Sequence, residues 1–171
     1  MIEASFIPIE RVESRILTLR GQKVMIDRDL AELYGVTTKR LREQIRRNSG
    51  RFPEDFLFQL SRAERDEVAA KCGNLTSLKF SPSPPFAFTE HGAIMAASVL
   101  NSERAVAASV YVVRAFVKMR EIVSSTRELE AKMVELEHRV TGHDENIQAL
   151  VSAIRQLMAP PEKAKKGKMG F

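Results

Sequence analysis

The chain has 171 residues, 44% of them hydrophobic, and carries 27 Lys and Arg against 22 Asp and Glu, a net charge of +5. This length allows one domain of ordinary size with an extension, and this apolar content excludes global disorder. The positive balance points to an acidic partner, nucleic acid ahead of an anionic membrane surface. No apolar run approaches the roughly 20 residues that span a bilayer. Met1 to Phe6 lacks the basic-then-apolar layout of a secretion signal, so a cytoplasmic protein without a membrane partner is expected. The single Cys72 has no internal disulfide partner and no Cys or His at metal-ligand spacing. It reads as a reduced thiol, and neither metal nor cofactor is expected.

Three zones separate by pattern: a mixed globular part over residues 1–123, a strictly periodic helix over 124–158, and a Pro- and Lys-rich tail over 159–171. Their net charges are +4, −2 and +3, and the tail reads as basic and disordered. From the N-terminus, Ile9 to Leu19 forms a short helix running into a strand. Arg20-Gly21-Gln22-Lys23 then turns tightly into Val24-Met25-Ile26, giving a small hairpin. Residues 27–48 form two helices. Pro53 breaks the second, and Phe56, Phe58 and Leu60 alternate as in a half-buried strand. Ser61 with Glu64 is a capping box that opens a helix over Arg62 to Lys71. Gly73 to Pro85, rich in Ser, Pro and Asn, reads as a loop and as the most mobile part of the domain. Phe86 to Phe88 is a short strand, Thr89 caps a helix through Leu100, and a long helix starts near Glu103 after Asn101-Ser102. The expected fold class is α+β: a small helix-turn-helix domain with a short hairpin and strands, followed by a long C-terminal helix forming a coiled coil.

The most informative segment is Asp27 to Ile45. Two helices meeting at a sharp angle need a small residue where they touch and a residue tolerant of positive φ in the turn. Ala31 and Gly35 meet these needs. Leu30, Leu33 and Tyr34 give the first helix an apolar face, Val36 plugs the turn, and Leu41 and Ile45 anchor the second helix. Asp27 is the expected cap of the first helix and Thr37 of the second. Charge then separates this hairpin from an ordinary helical one: Val36 to Arg51 carries Lys39, Arg40, Arg42, Arg46, Arg47 and Arg51 against Glu43. With Leu41 and Ile45 inward, a rotation of about 100° per residue turns Lys39, Arg42, Glu43, Arg46 and Arg47 outward. Thr37, Thr38 and Lys39 open the helix, where side chains and the positive dipole end both reach a DNA groove. The bland alternative is a helix merely solubilised by its arginines. Which side chains meet bases and which meet phosphates is open at this point.

These residues resemble the phage-derived ORF-six N-terminal DNA-binding domains, relatives of the KilA-N and Bro-N domains. The resemblance runs from about Ile7 to Ile122. It rests on Asp29-Leu-Ala-Glu-Leu-Tyr-Gly35, Arg47-Asn48, Arg51-Phe-Pro-Glu-Asp-Phe56, Phe58-Gln59-Leu60 and Ala87-Phe-Thr-Glu-His-Gly92. It continues in Val99-Leu-Asn-Ser102, Arg104-Ala105 and Arg114-Ala-Phe-Val117. The resemblance implies a DNA-binding role in phage, prophage or phage-derived genes, without a cofactor. Within its pattern, Phe52 and Phe56 are expected in the core, Pro53 at the end of the recognition helix, and Asp55 on turn amides. Glu90-His91 could be misread as an acid/base pair, but helix neighbours one apart do not face each other, and no enzyme is expected.

From residue 129 the seam Leu129, Met133, Leu136, Val140, His143, Ile147, Leu150, Ile154 and Leu157 is spaced by fours and threes without a slip. Leu at d with Val or Ile at a favours a parallel two-stranded coil. Lys132 and Arg139 at g would face Glu137 and Asp144 at e of the partner, which favours a homodimer in register. His143 beside Gly142 is the weak point. Packing of this seam back onto the domain is the alternative. The resulting expectation is a transcriptional regulator or antirepressor that binds double-stranded DNA as a dimer. Its rivals are a protein-interaction module gripping an acidic host or phage regulatory protein, and an RNA binder. The latter is disfavoured because the aromatics follow core patterns rather than forming stacking platforms.

Overall fold

The computed structural model describes residues 7–160, so the expected tail over 159–171 lies outside the described residues apart from Ala159 and Pro160. The chain divides into two compact units after Val123. The fold is α+β: a small antiparallel sheet with helices, followed by one long C-terminal helix.

In the first unit, helix α1 (Ile9–Glu13) leads into β1 (Ile16–Leu19), which pairs with β2 (Gln22–Ile26). The turn is shorter than the four residues expected. Leu19 already pairs with Gln22, because Arg20 and Gly21, at φ 51° and 73°, reverse the chain by themselves. Two successive left-handed residues match the strand twist of a tight hairpin. With β3 (Leu57–Gln59) and β4 (Phe86–Phe88), the sheet order is β1-β2-β4-β3, antiparallel throughout.

Strand alternation divides the apolar residues between two cores. Met25 and Phe88 face the larger one, which is completed by α2 (Asp27–Tyr34), α3 (Thr38–Arg47), α5 (Glu90–Leu100) and the start of α6 (Glu103–Met158). Val24, Ile26 and Ala87 face a smaller one with Leu60, Val68 of α4 (Arg62–Lys71), Leu75 and Leu78. The last two correct an expectation. Much of Gly73 to Pro85 is a 3-10 helix, Gly73–Phe80, with Leu75, Leu78 and Pro85 buried. Residues three apart share one face of such a helix, so this leucine pair docks the segment.

The capping box at the start of α4 forms as expected, with Ser61 and Glu64 each bonded to the other's backbone N–H. Glu64 also ties α4 to the hairpin. Arg20 donates to it from 2.8 and 3.0 Å while lying 4.3 Å over the Phe58 ring. This guanidinium, with the Ser61 amide, holds the Glu64 carboxyl down at about 2. On the other face, α5 presents Gly92, Ala93, Ala96 and Ala97 to the core, and Tyr34 donates to the Ala93 carbonyl from 2.7 Å. Burial pushes the Tyr34 phenol up from its usual range. Asn101, at φ 46°, ends α5, and α6 buries Ala105, Ala108, Val112, Ala115 and Phe116.

The second unit is the helical stretch from Ser124 to Met158. Its helix continues through Gly142 and His143 without a break. The apolar seam side chains are exposed, from 47% at Ile154 to 87% at Leu157.

Candidate nucleic-acid interface

Helices α2 and α3 are joined by Gly35-Val36-Thr37. Gly35 takes the left-handed conformation at φ 70°, and the Val36 amide donates to the Ala31 carbonyl from 3.0 Å. Ala31 is buried, as a close helix crossing requires. Thr37 caps α3, its hydroxyl accepting from the Arg40 amide at 3.1 Å. Leu41 and Ile45 are buried, so α3 is anchored along one face from its first turn.

Asp27 does not cap α2. Ile26 holds the cap position in extended conformation, and Asp27 is the first helical residue, fully buried. Its Oδ2 accepts from Arg42 Nε at 2.7 Å and from the Phe86 amide at 3.3 Å. A charged donor in a low-dielectric site outcompetes a neutral helix amide for a carboxylate. The same contact corrects the placement of Arg42. Instead of facing outward, Arg42 is half-buried, bonded also to Ser83 Oγ at 2.6 Å and lying 5.7 Å over the Phe86 ring. Its wheel position is about 100° from Leu41, on the flank of the helix, from which a long side chain can reach back to a buried partner.

The other expected contact residues divide plainly. Lys39, Arg40, Glu43, Arg46 and Arg47 are exposed on α3, and Arg51 is exposed in the 3-10 turn Ser49–Arg51 that follows. Thr37 is exposed with its hydroxyl engaged in the cap, and Thr38 is half-buried. Helix α3 ends at Arg47, before Pro53, because the Asn48 side chain donates back to the Gln44 carbonyl at 2.8 Å. Phe52 and Phe56 are half-buried rather than inside the core, and of the two Phe52 packs against it. Asp55 contributes its carbonyl, which accepts from the Thr89 hydroxyl at 3.1 Å. Glu90 pairs with Arg120 at 3.0 Å, and exposed His91 stacks on Phe56 with ring centres 5.5 Å apart.

Beside the exposed face of α3 runs a groove of about 540 Å³. One wall is α3, with Lys39, Glu43 and Arg46. The other includes Ser77, Ser81 and Ser83, with Arg28 of α2 hydrogen-bonded to Ser77. Sequence reasoning missed this second wall, since Ser and Pro signal a loop and carry no sign of where the loop docks. Among the described residues no cluster of His, Cys, Asp and Glu could hold a metal ion, and no helix is long and apolar enough to cross a membrane.

The model of the ORF6N domain matches residues 14–99, half of the chain. This chain belongs to the ORF6N domain family. The match covers the sheet, the α2–α3 pair, both walls of the groove and nearly all of α5. It stops short of α6, so Arg104-Ala105 and Arg114 to Val117, which entered the resemblance, lie outside it. No curated protein and no solved structure gives a significant match. ORF6N membership is consistent with a phage-type regulatory or DNA-binding protein and specifies neither target nor outcome.

Proposed function

We propose that this ORF6N chain is a phage-derived DNA-binding regulator that lays α3 in the major groove, and that the seam over 124–158 joins two copies as a parallel coiled coil. One observation carries the reading: Lys39, Arg40, Arg46 and Arg47 are exposed on a helix that is capped at Thr37 and anchored by Leu41 and Ile45. A rigid cationic helix meets anionic phosphates on both sides of a groove and offers Arg to guanine O6 and N7. Glu43, in the middle of this face, is an acceptor suited to the cytosine amino group. Binding of this kind needs no cofactor.

The test is a gel shift over a salt series with the intact chain and with Lys39, Arg46 and Arg47 all changed to Ala. The intact chain should bind duplex DNA with an affinity that falls steeply with salt, and the triple variant should lose both affinity and salt slope, about 0.9 in log–log terms per phosphate contact removed. Its melting temperature should stay unchanged, since none of the three is buried. Equal binding by the two proteins removes α3 as the DNA surface. Salt-sensitive capture of an acidic protein in place of DNA favours the protein-interaction alternative.

A further inference from the structure

The wall facing α3 across the groove is more than a spacer. In the 3-10 helix Gly73–Phe80, residues three apart eclipse each other. Leu75 and Leu78 obey this spacing on the buried side. Ser77 lines the groove and accepts a hydrogen bond from Arg28; Phe80, three residues on, follows Ser77 in the 3-10 repeat but is itself outside the groove lining. Its side chain is 83% exposed, the most exposed large hydrophobic in the first unit among the described residues. The charges of the groove have the same bias. Arg42 and Asp27 neutralise each other, which leaves Arg28, Lys39 and Arg46 against Glu43.

A cationic trough edged by serine hydroxyls, with an exposed aromatic ring at the end of the 3-10 helix that supplies Ser77 to one wall, matches the sugar–phosphate strand of a duplex. The phosphates suit Arg and hydroxyl donors, and an exposed ring beside them gains by covering the apolar carbons of the deoxyribose. We propose that Arg28, Ser77 and Phe80 form a second DNA contact, holding the strand that borders the major groove entered by α3. The proposal rests on the reading of α3 as the DNA surface. It makes the Ser77–Ser83 wall a specificity-neutral clamp that sets how α3 sits in its groove.

The chain contains no Trp, so Phe80→Trp creates a single fluorescent reporter at the contact. A fluorescein-labelled mixed-sequence duplex is titrated with this variant, following DNA anisotropy and Trp emission together. The expected result is that Trp emission is quenched, and shielded from iodide, in step with the rise in anisotropy. Phe80→Ala and Arg28→Glu should each weaken binding by about tenfold. Arg114→Glu, which reverses an exposed charge on α6 outside the groove lining, should weaken it less. A rise in anisotropy with unchanged Trp emission, and Arg28→Glu no worse than Arg114→Glu, overturns the second contact and leaves α3 as the DNA surface. No rise in anisotropy even with the unmodified chain overturns both. Quenching by polyglutamate but not by duplex overturns the clamp and assigns the groove to an acidic protein.

Discussion

Arg42 donates through Nε to Asp27 Oδ2 from 2.7 Å, and Asp27 has no exposed surface. The pair joins three elements: Arg42 lies on α3, Asp27 opens α2, and the same carboxylate oxygen accepts from the Phe86 amide of β4. The orientation of the candidate recognition helix relative to the sheet therefore depends on an ion pair as well as on Leu41 and Ile45. The other oxygen of Asp27 is buried without a hydrogen-bond partner, so the carboxylate leans heavily on Arg42.

Arg42→Ala should then act on stability first and on binding second. Breaking a buried pair costs about 3–5 kcal/mol, and the residual exposure of Arg42 lowers the figure here to about 2–3 kcal/mol. Adding Asp27→Asn to Arg42→Ala should recover part of the loss, because it removes the stranded charge. Urea denaturation of the single and double variants checks this. A single variant as stable as the parent would show that the pair does not carry the helix.

Gly92 and Gly35 should respond differently to alanine. A Cβ on Gly92 would lie 2.0 Å from the Phe56 carbonyl oxygen, and that oxygen is held by the Thr89 amide at 3.0 Å and the Thr89 hydroxyl at 3.2 Å. Helix α5 has to shift off the end of β3, at a cost of about 3 kcal/mol. At Gly35 the atoms in the way belong to the flexible end of Arg104, and the main cost is the φ of 70°, about 1–2 kcal/mol. Thermal melts of Gly92→Ala and Gly35→Ala should rank in that order.

Acid should weaken the link between the hairpin and α4. The folded carboxyl of Glu64 is held at about 2, below its ordinary value of 4.5, chiefly by Arg20. A lowered folded value means that the contribution is fully present above the ordinary value and is lost as pH falls from about 4.5 to about 2. Glu64→Gln should flatten the stability curve over that window, and Arg20→Ala should do the same. Identical acid titrations for parent and variants would contradict the link.

Changing Leu136 and Leu150 both to Asp places charges at two d positions of the proposed coil. Sedimentation should then show monomers in place of dimers, with a melting transition of the first unit that is unchanged. On a two-fold DNA target the affinity should fall far more than on one half-site, as the bivalent gain disappears. An unchanged dimer would place self-association in the first unit.

Periodicity and capping chemistry are local, and they carried much of the fold. The capping box Ser61/Glu64, the Thr37 and Thr89 caps, the Ala31 and Gly35 positions and the presence of a short strand at Phe58 are each read within a few residues, because a cap or a turn is satisfied by near neighbours. The expected alternation there is not, since Leu57 and Phe58 are both half-buried, each against a different core. The same holds for the exposed cations Lys39, Arg46 and Arg47, whose positions follow from the buried pair Leu41 and Ile45. What only the tertiary structure decided involves partners distant in sequence. Asp27 left its capping role for Arg42 and Phe86, Arg42 left the outer face for Asp27, and Gly73 to Pro85 became a docked wall through Leu75 and Leu78. In each case a helix-wheel angle or a composition is degenerate, and the choice is made by desolvation. A buried carboxylate takes the cation within reach, and a pair of leucines takes the apolar surface within reach, wherever the chain has brought it.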